Sequence, residues 1–573
     1  MDNFAIARIL GEIADLLEIK SDNPFKIRAY RNGAEIAANH PHHLASLDAA
    51  GLREIPGIGK DLAARIREIA ETGDTEYHRE LIAEFPPSIL DLLHLQGVGP
   101  KTVAVFYREL GVRTIEDLEQ AAASGRIRAL RGMGEKKEAL IRKALDERKR
   151  HAGRHLLSDT QDAAAALLAF LQPHAPEADL TPVGSLRRGC DSCGDLDILA
   201  CGAPASLMDA FVANDHVERV LGRGDTKSSV LLRGGFQADL RLVPSESRGA
   251  ALQYFTGSKA HNIALRDRAI GLGLKLNEYG VFRTADEVRI AGETEESVYE
   301  ALGLQWTPPE LREARGEIEA ASIRQLPRLI ELADLRGDLH MHTTESDGKD
   351  DLRAMAEAAR DAGLLYVAIT DHSQSLAMAN GLDERRTLAH AATIRAADGQ
   401  HGVRLLAGIE CDIKPDGTLD LADDCLASLD FVVASVHSGF NQDRQQMTDR
   451  LLRAIENPYV DVLGHPTGRR ILRREPYPVD IEAVIDAAAR RGVALEINSN
   501  PNRLDLNEVH ARLARDRGVP LAISSDAHSR HGFGVLRWGV IVARRAWLGA
   551  EHVLNARPFE GFRAALRRNR TGK

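Results

Sequence analysis

Residues 338–347 read DLHMHTTESD, an apolar run that ends in a His-x-His pair with an aspartate close behind. Imidazole beside carboxylate suits zinc, manganese or iron. The stretch decides the fold because it is the first of a series: later apolar runs end at AITDHS, AGIECD, VASVHS, VLGHP, LEINSN and AISSDAH. Helical patterns such as DDLRAMAEAARDAG and DIEAVIDAAARRG fill the intervals. Seven strand–helix units predict a closed or nearly closed, distorted (β/α)7 barrel over residues 336–573. Six of the seven strand ends carry a His, Asp or Glu, and barrel active sites collect at those ends. The candidate ligands are His340, His342, Asp347, His372, Glu410, His437, His465, Asp526 and His528. A lone histidine is more often a core or surface residue, and His174 and His401 are read that way. Nine ligands at one rim suffice for two or three ions, which together activate water, neutralise a phosphate and stabilise a leaving oxygen. At the remaining strand end, Asn498 and Asn500 either contact a substrate phosphate or cap the next turn, and the capping role is favoured.

Upstream, residues 194–199 read GDLDIL. Alternation in LDILA and ADLRLV puts Asp195 and Asp197 on one face of a strand and Asp239 on a neighbour, provided the two strands pair. A single Asp-x-Asp is usually a solvated face. Here GSLRRG at 184–189 precedes it, a small-residue turn with two guanidinium groups suited to a triphosphate. Carboxylates so placed bridge two magnesium ions that bind nucleotide phosphates and activate a primer 3′-hydroxyl.

The first 150 or so residues carry three Gly-x-Gly segments: LREIPGIGKDLAARI, LLHLQGVGPKTVAVF and IRALRGMGEKKEALI. In each, an apolar helix is expected to end, a turn to follow at Gly57/Gly59, Gly97/Gly99 or Gly132/Gly134, and a second helix to open with unpaired N–H groups outward. One copy reads equally well as a plain helix-turn-helix corner. Three copies, followed at once by Lys60, Lys101, or Lys136 and Lys137, predict sequence-independent contacts to a nucleic-acid backbone. P-loop spacing is absent.

Composition sets outer bounds. A chain of 573 residues, 44% hydrophobic and 28% charged, has room for three or four folded domains. Its N-terminus is an amphipathic helix rather than a signal peptide, and no apolar run spans a bilayer, so no membrane is expected. Five cysteines, with Cys190-x-x-Cys193 lacking a second pair, argue against a disulfide framework or a structural zinc and fit a reducing cytoplasm. The net charge of −10 argues against indiscriminate nucleic-acid binding but leaves room for a local basic groove.

Taken together, DLHMHTTESDG, ITDHS, GIECDI, SVHSGF, LGHP and SSDAH resemble the successive motifs of the PHP (polymerase and histidinol phosphatase) family across 336–573. The resemblance implies that His340, His342, Glu410 and Asp526 hold one ion, Glu410 with His437 and His465 a second, and Asp347, His372 and His528 a third. The series GSLRRG, GDLDIL, FQADLRL and YFTGSKAHNIALR resembles the family X DNA polymerases over about 1–312, and the repeated hairpins fit their DNA-binding domains. That resemblance implies Asp195, Asp197 and Asp239 as metal carboxylates, and Ser185 and Arg188 on the triphosphate. Tyr254, Phe255 and Gly257 would sense the sugar, with Asn262 and Arg266 at the incoming nucleotide and template minor groove. Without these motifs, Tyr254 and Phe255 read as core packing.

The two departures from the family pattern are chemical. Cys193 stands where family members often place a serine beside the triphosphate. Arg65 stands at the Schiff-base lysine of members with deoxyribose-phosphate lyase activity, and Asp61 where many have another lysine. A guanidinium stays protonated, so lyase activity is expected to be absent, or weak and relayed through Lys60.

The expected layout is multidomain, α+β and α/β: helical helix-hairpin-helix domains at 1–80 and 81–155, and a nucleotidyltransferase palm with a mixed sheet at 156–245. A nucleotide-selection subdomain at 246–312, a linker at 313–335 and the barrel at 336–573 complete it. The combination resembles the bacterial and archaeal type of family X polymerase. It implies a repair polymerase acting with Mg2+ on gapped or primed DNA and deoxynucleoside triphosphates, in the cytoplasm and associated with the nucleoid. The barrel would be a 3′–5′ exonuclease using Mn2+, Zn2+ or Fe2+, with abasic-site cleavage as a further expected activity. Two alternatives stay open: a barrel that is a small-molecule phosphatase fused to a polymerase, and a non-catalytic DNA-end scaffold. Intact acids and a complete ligand set count against the scaffold.

Overall fold

In the computed structural model, which describes residues 3–39, 44–55, 57–95, 98–151 and 153–567, the chain divides into two units, Met1–Ala152 and Gly153–Lys573.

The first unit is helical. On Asn3–Lys20, Ile6, Ile9, Leu10, Ile13 and Leu17 recur three or four residues apart and form a buried stripe, the periodicity that makes an amphipathic helix. The first hairpin runs from the helix Ala49–Glu54 through Gly57, at positive φ, into Lys60–Thr72. Gly59 caps that helix without a side-chain acceptor, and Gly99 caps Pro100–Leu110 in the same way, so neither N-terminus is satisfied by its own cap. Gly97 lies outside the described residues. Lys60, Lys101 and Lys136 are exposed, while Lys137 is half-buried.

The repeat is less regular than the sequence suggests. An α-helix leads only the first hairpin; a 3-10 helix, Pro87–His94, leads the second. Consecutive turns lead the third, between Ile115–Ala123 and Gly134–His151. Gly125 and Gly132 both take positive φ, and the few residues between them cannot carry an α-helix past its nucleation cost.

In the second unit a five-stranded mixed sheet has the spatial order Asp179–Pro182, Leu196–Cys201, Gln237–Val243, Lys227–Leu232, Val217–Arg223. Its central pair, Leu196–Cys201 and Gln237–Val243, is parallel and sets Asp197 opposite Asp239. The helix Leu157–Leu171 covers one face with Ala164, Leu167 and Leu171. A smaller antiparallel sheet, Leu274–Asn277, Gly280–Arg283 and Arg289–Ala291, follows among the helices Arg248–Thr256, Lys259–Gly271 and Glu295–Ala301.

The segment expected to be a linker is a packed strut. It holds the helix Glu317–Ser322, buries Glu317 against His261 (2.6 Å to Nδ1), and packs Leu329 with Leu311 and Trp547.

Seven parallel strands in chain order form the barrel: Gly337–Asp338, Tyr366–Ile369, Arg404–Asp412, Phe431–Ser435, Val462–Leu463, Ala494–Asn498 and Leu521–Ser524. The Asp526 N–H donates to His340 O and the His342 N–H to Ala527 O, both at 2.9 Å, so the last strand returns to the first and the barrel is nearly closed. Strand alternation then sorts the interior. Leu406, Val433, Ala494 and Ala522 point inward at the N-terminal end, where Tyr366, Phe431 and Phe562 form an apolar plug. Two or four residues further along the same faces come Glu410, His437, Glu496 and Asp526. One period thus makes a dry floor and a ligand-rich mouth.

Candidate active sites

Glu410 is the hub of the barrel mouth. Its Oε1 lies 3.3 Å from His340 Nε2, 3.3 Å from His437 Nε2 and 3.2 Å from His465 Nε2. Its Oε2 lies 3.6 Å from His342 Nε2 and 2.8 Å from His372 Nδ1. Asp526 Oδ1 is 3.2 Å from His342 Nε2 and 3.7 Å from His340 Nε2. Asp347 Oδ1 is 3.6 Å from His372 Nε2 and 3.5 Å from His528 Nε2. Three sets bring their donor atoms within 4.8 Å of one another: His342, Asp347, His372 and His528; His340, His342 and Asp526; and His372, Glu410 and His437. All nine expected residues therefore meet, with His342 and His372 each shared between two sets and His465 joined through Glu410.

The electrostatics suit cations. Burial alone would raise the Glu410 carboxyl, but His340, His437 and His372 hold it well below the usual carboxylate range. Asp526 behaves likewise, burial being outweighed by His340, His342 and His528. His342 is pushed down to about 4 by burial and by His528 and His372, which keeps its imidazole neutral and ligand-competent. Among the described residues, His340 Nε2, both ring nitrogens of His342 and Glu410 Oε2 are buried and have no well-aligned hydrogen-bond partner. Against burial, neighbouring carboxylates raise His340, His437 and His528, Glu410 and Glu496 acting on the first, Glu410 and Asp412 on the second and Asp347 and Asp526 on the third; imidazole and carboxylate atoms that converge in this way fit divalent ions.

Behind the ligands stand groups that sequence reasoning missed. Glu496 accepts from His340 Nδ1 at 2.8 Å and from the His465 backbone N–H at 2.6 Å. Asp412 bonds His437 Nδ1 at 2.8 Å. Each fixes a ring so that its Nε2 faces the centre. Asp371 ties down the turn carrying Asp347, through the Thr343 N–H at 2.8 Å and Ser346 Oγ at 2.5 Å. The Asn498 side-chain amide donates to Asp526 Oδ2 at 3.1 Å, and its Oδ1 accepts the Asn500 N–H at 3.1 Å, so it caps the turn while holding a ligand. Asn500 Oδ1 accepts the Asn502 N–H at 3.0 Å.

Arginines border this mouth. Arg470 and Arg474 pair backbone to backbone just beyond His465, and the Ile471 N–H donates to Asn502 O at 2.8 Å, bringing in Arg503. Arg470 is lowered by burial and then by repulsion from Arg503 and Arg473, with Asp526 opposing. Among the described residues none of Arg470, Arg474 and Arg503 has an ion pair with a carboxylate.

In the palm, Asp197 is pushed up to about 6 by burial and by the charges of Asp195 and Asp239. Asp239 is lowered despite burial because Lys227 Nζ lies 2.5 Å from its Oδ2, with Ser229 and Gln237 adding to the effect. Lys227 is a further residue that the motifs did not reveal; it belongs to the neighbouring antiparallel strand. Gly184 opens the short helix Gly184–Arg187 at φ +65°, and a Cβ there would come 2.7 Å from Asp197 Oδ2, so only glycine lets the turn approach the acids. Ser185 is half-buried on that helix, and the buried Cys193 thiol lies against Ser185 and Thr160.

The two arginines of the turn separate in role. Arg187, read as facing a triphosphate, instead forms a bidentate pair with Glu295 at 2.8 Å and donates to Thr256 Oγ1 at 2.7 Å. The buried carboxylate captures it. Arg188 donates through Nε to Glu313 at 3.0 Å and through Nη1 to Thr256 O at 2.7 Å. Tyr254 and Phe255 meet edge to face at 5.1 Å, and the Arg241 guanidinium lies 4.7 Å from the Phe255 ring. The Asn262 amide donates to Tyr254 O at 2.7 Å and accepts from Gln253 at 2.7 Å, closing the Tyr254–Gly257 corner from below. Arg266 is exposed one turn further along that helix. In the helical unit, Arg65 pairs with Glu68 at 3.0 Å and lies 5.1 Å from the Tyr77 ring.

Comparison with known proteins matches several stretches of the chain. Residues 1–75 match a helix-hairpin-helix domain, 89–147 a SAM-like helix-hairpin-helix tandem, 251–313 the DNA polymerase beta thumb and 338–500 the PHP domain. The DNA polymerase/3′-5′ exonuclease PolX of Bacillus subtilis (strain 168) is 39% identical over 98% of this chain and 99% of its own length. Probable phosphatases of Thermoanaerobacter sp. (strain X514) and Shewanella sediminis (strain HAW-EB3) are each 33% identical, over 38% and 39% of this chain and 89% of their own. The phosphatases answer to little more than a third of the chain, whereas the Bacillus subtilis polymerase spans nearly all of it. This chain therefore belongs to the family X DNA polymerases that carry a C-terminal PHP domain.

Proposed function

We propose that the chain extends primer ends and fills short gaps in DNA at the palm, and removes nucleotides from 3′ ends at the barrel, as a short-patch repair enzyme. One observation carries the reading: a carboxylate trio beside a Gly-Ser-Leu-Arg-Arg-Gly turn and a nine-residue imidazole–carboxylate cluster occur in one chain at separate sites. Asp195, Asp197 and Asp239 would hold Mg2+, and the crowding that lifts Asp197 is relieved by cations. Divalent ions held there would supply the Lewis acidity that activates a primer hydroxyl and stabilises departing pyrophosphate. Ser185 and Arg188 would orient the triphosphate, and the Tyr254–Gly257 corner would test the sugar.

At the barrel the imidazole-rich set suits Mn2+, Zn2+ or Fe2+ in two or three positions. Glu496 and Asp412 hold the rings, while Arg470, Arg474 and Arg503 supply positive charge for a phosphodiester strand. The hairpins of residues 1–150 would grip the DNA backbone through helix N-termini and Lys60 and Lys101. Abasic-site cleavage at the barrel, a palm at 156–245 and a nucleotide-selection subdomain at 246–312 belong to the same reading.

The probable phosphatases among the relatives favour a second reading, in which the barrel takes small phosphomonoesters. One set of assays tests both. Asp195→Ala with Asp197→Ala should abolish nucleotide addition and leave 3′ to 5′ digestion; His340→Ala with His342→Ala should do the reverse. A folded double variant lacking both activities would refute the division of labour. Faster hydrolysis of histidinol phosphate than of a primed oligonucleotide would favour the phosphatase.

A further inference from the structure

The barrel touches the polymerase at the loop that leads out of the triphosphate turn. On the barrel helix Leu536–Arg545, Arg545 is buried, with Nη1 donating to Arg188 O at 2.7 Å and to Glu313 Oε1 at 3.1 Å, and Nη2 donating to Glu508 Oε1 at 3.0 Å. Glu313 Oε1 is the same atom that accepts from Arg188 Nε at 3.0 Å. One carboxylate oxygen is thus shared by a polymerase guanidinium and a barrel guanidinium. Next along the loop, Gly189 takes φ +67°, and a Cβ there would overlap Ile541 Cγ2 of the same barrel helix. At the loop's far end Asp191 pairs with Arg469 of the barrel at 2.9 Å.

The geometry points to Arg545 as a positioning residue for nucleotide addition, a barrel side chain that sets the aim of Arg188 through Glu313 and the Arg188 carbonyl. This rests on the reading of Arg188 as a triphosphate contact. Arg188 has Nε and Nη1 committed to Glu313 and Thr256 O, while among the described residues Nη2 meets only the Cys190 thiol at 3.8 Å. Its free edge is therefore fixed by a frame whose outer members belong to the barrel. Without Arg545 the whole charge of Glu313 falls on Arg188, and the Arg188 carbonyl loses its donor. The guanidinium is then drawn off line and the loop relaxes.

The test measures steady-state gap filling and 3′ to 5′ digestion by the full chain. Arg545→Ala should raise KM for the nucleoside triphosphate about tenfold, the scale of one lost charge-assisted hydrogen bond, while kcat changes little and digestion is unaltered. Arg545→Lys keeps a cation near Glu313 and should recover part of the loss. Ile541→Ala, which removes the apolar prop and should fold without difficulty, should raise KM several-fold. Arg188→Ala serves as the reference. If it leaves KM unchanged, the triphosphate role of Arg188 fails and the inference falls with it. If it raises KM while Arg545→Ala and Ile541→Ala do not, the reading of Arg188 stands and the barrel's role is refuted. Parallel loss of digestion and addition in Arg545→Ala would mark it as merely structural and also overturn the proposal.

Discussion

Replacing Glu295 with glutamine removes one charge from a site built around it. The carboxylate receives both terminal nitrogens of Arg187 at 2.8 Å, Arg312 Nη1 at 2.6 Å and the Trp306 indole at 3.3 Å. Burial opposes its ionisation, yet Arg187 and Arg312 bring it from an ordinary 4.5 down to about 2. That difference of about 2.5 units, at 1.36 kcal/mol each, is on the order of 3 kcal/mol of stability at neutral pH. The figure agrees with the roughly 3–5 kcal/mol cost of leaving one member of a buried pair uncompensated, here the fully buried Arg312.

A chain of several domains does not unfold in one step, so the assay is native-state hydrogen exchange at the helices Arg248–Thr256 and Glu295–Ala301. The sign follows from the direction of the shift. A carboxyl lowered in the folded state contributes fully above its unfolded value and loses that contribution as pH falls. The parent and Glu295→Gln proteins should therefore differ by about 3 kcal/mol in local opening at pH 7 and converge between about pH 4.5 and 2. A difference below about 1 kcal/mol at pH 7, or one that stays constant into acid, would refute the assignment of the stabilisation to this charge.

Three further outcomes are expected. Glu496→Gln should weaken Mn2+ binding by roughly 10- to 100-fold in calorimetric titration, because His340 loses the carboxylate that fixes its ring; unchanged affinity would exclude that role. Digestion should run faster in Mn2+ than in Mg2+ while nucleotide addition proceeds in Mg2+, and equal digestion rates in the two ions would count against the imidazole-rich set as the ligand shell. Borohydride treatment with a 5′-deoxyribose-phosphate substrate should trap no adduct at Arg65, which is paired with Glu68; an adduct abolished by Lys60→Ala would relocate the amine to Lys60.

What could be read in advance depended on periodicity. Seven apolar runs, six of them ending in ligand-competent residues, specify both barrel and mouth, because parallel strands place their C-terminal ends together whatever the intervening helices do. Asp195, Asp197 and Asp239 needed only the pairing of two strands. Glu496 and Asp412 obey the same period-two rule as Glu410 and were legible in principle, but their partners are ring nitrogens on other strands, a relation that one strand's sequence does not encode. Arg187 and Arg188 look equivalent in the sequence. Only the fold brings Glu295 under one and Glu313 beside the other, from more than 100 residues away. The strut at 313–335 looked like a polar connection because Glu317 is charged, and its burial depends on His261 together with the backbone N–H groups of Ala314 and Arg315.

The aromatic plug of Tyr366, Phe431 and Phe562 makes the barrel a cul-de-sac. Whatever reaches the ligand-bearing rim finds no passage through the floor below it. Substrate and product thus share one opening, and release of the product becomes a step in its own right.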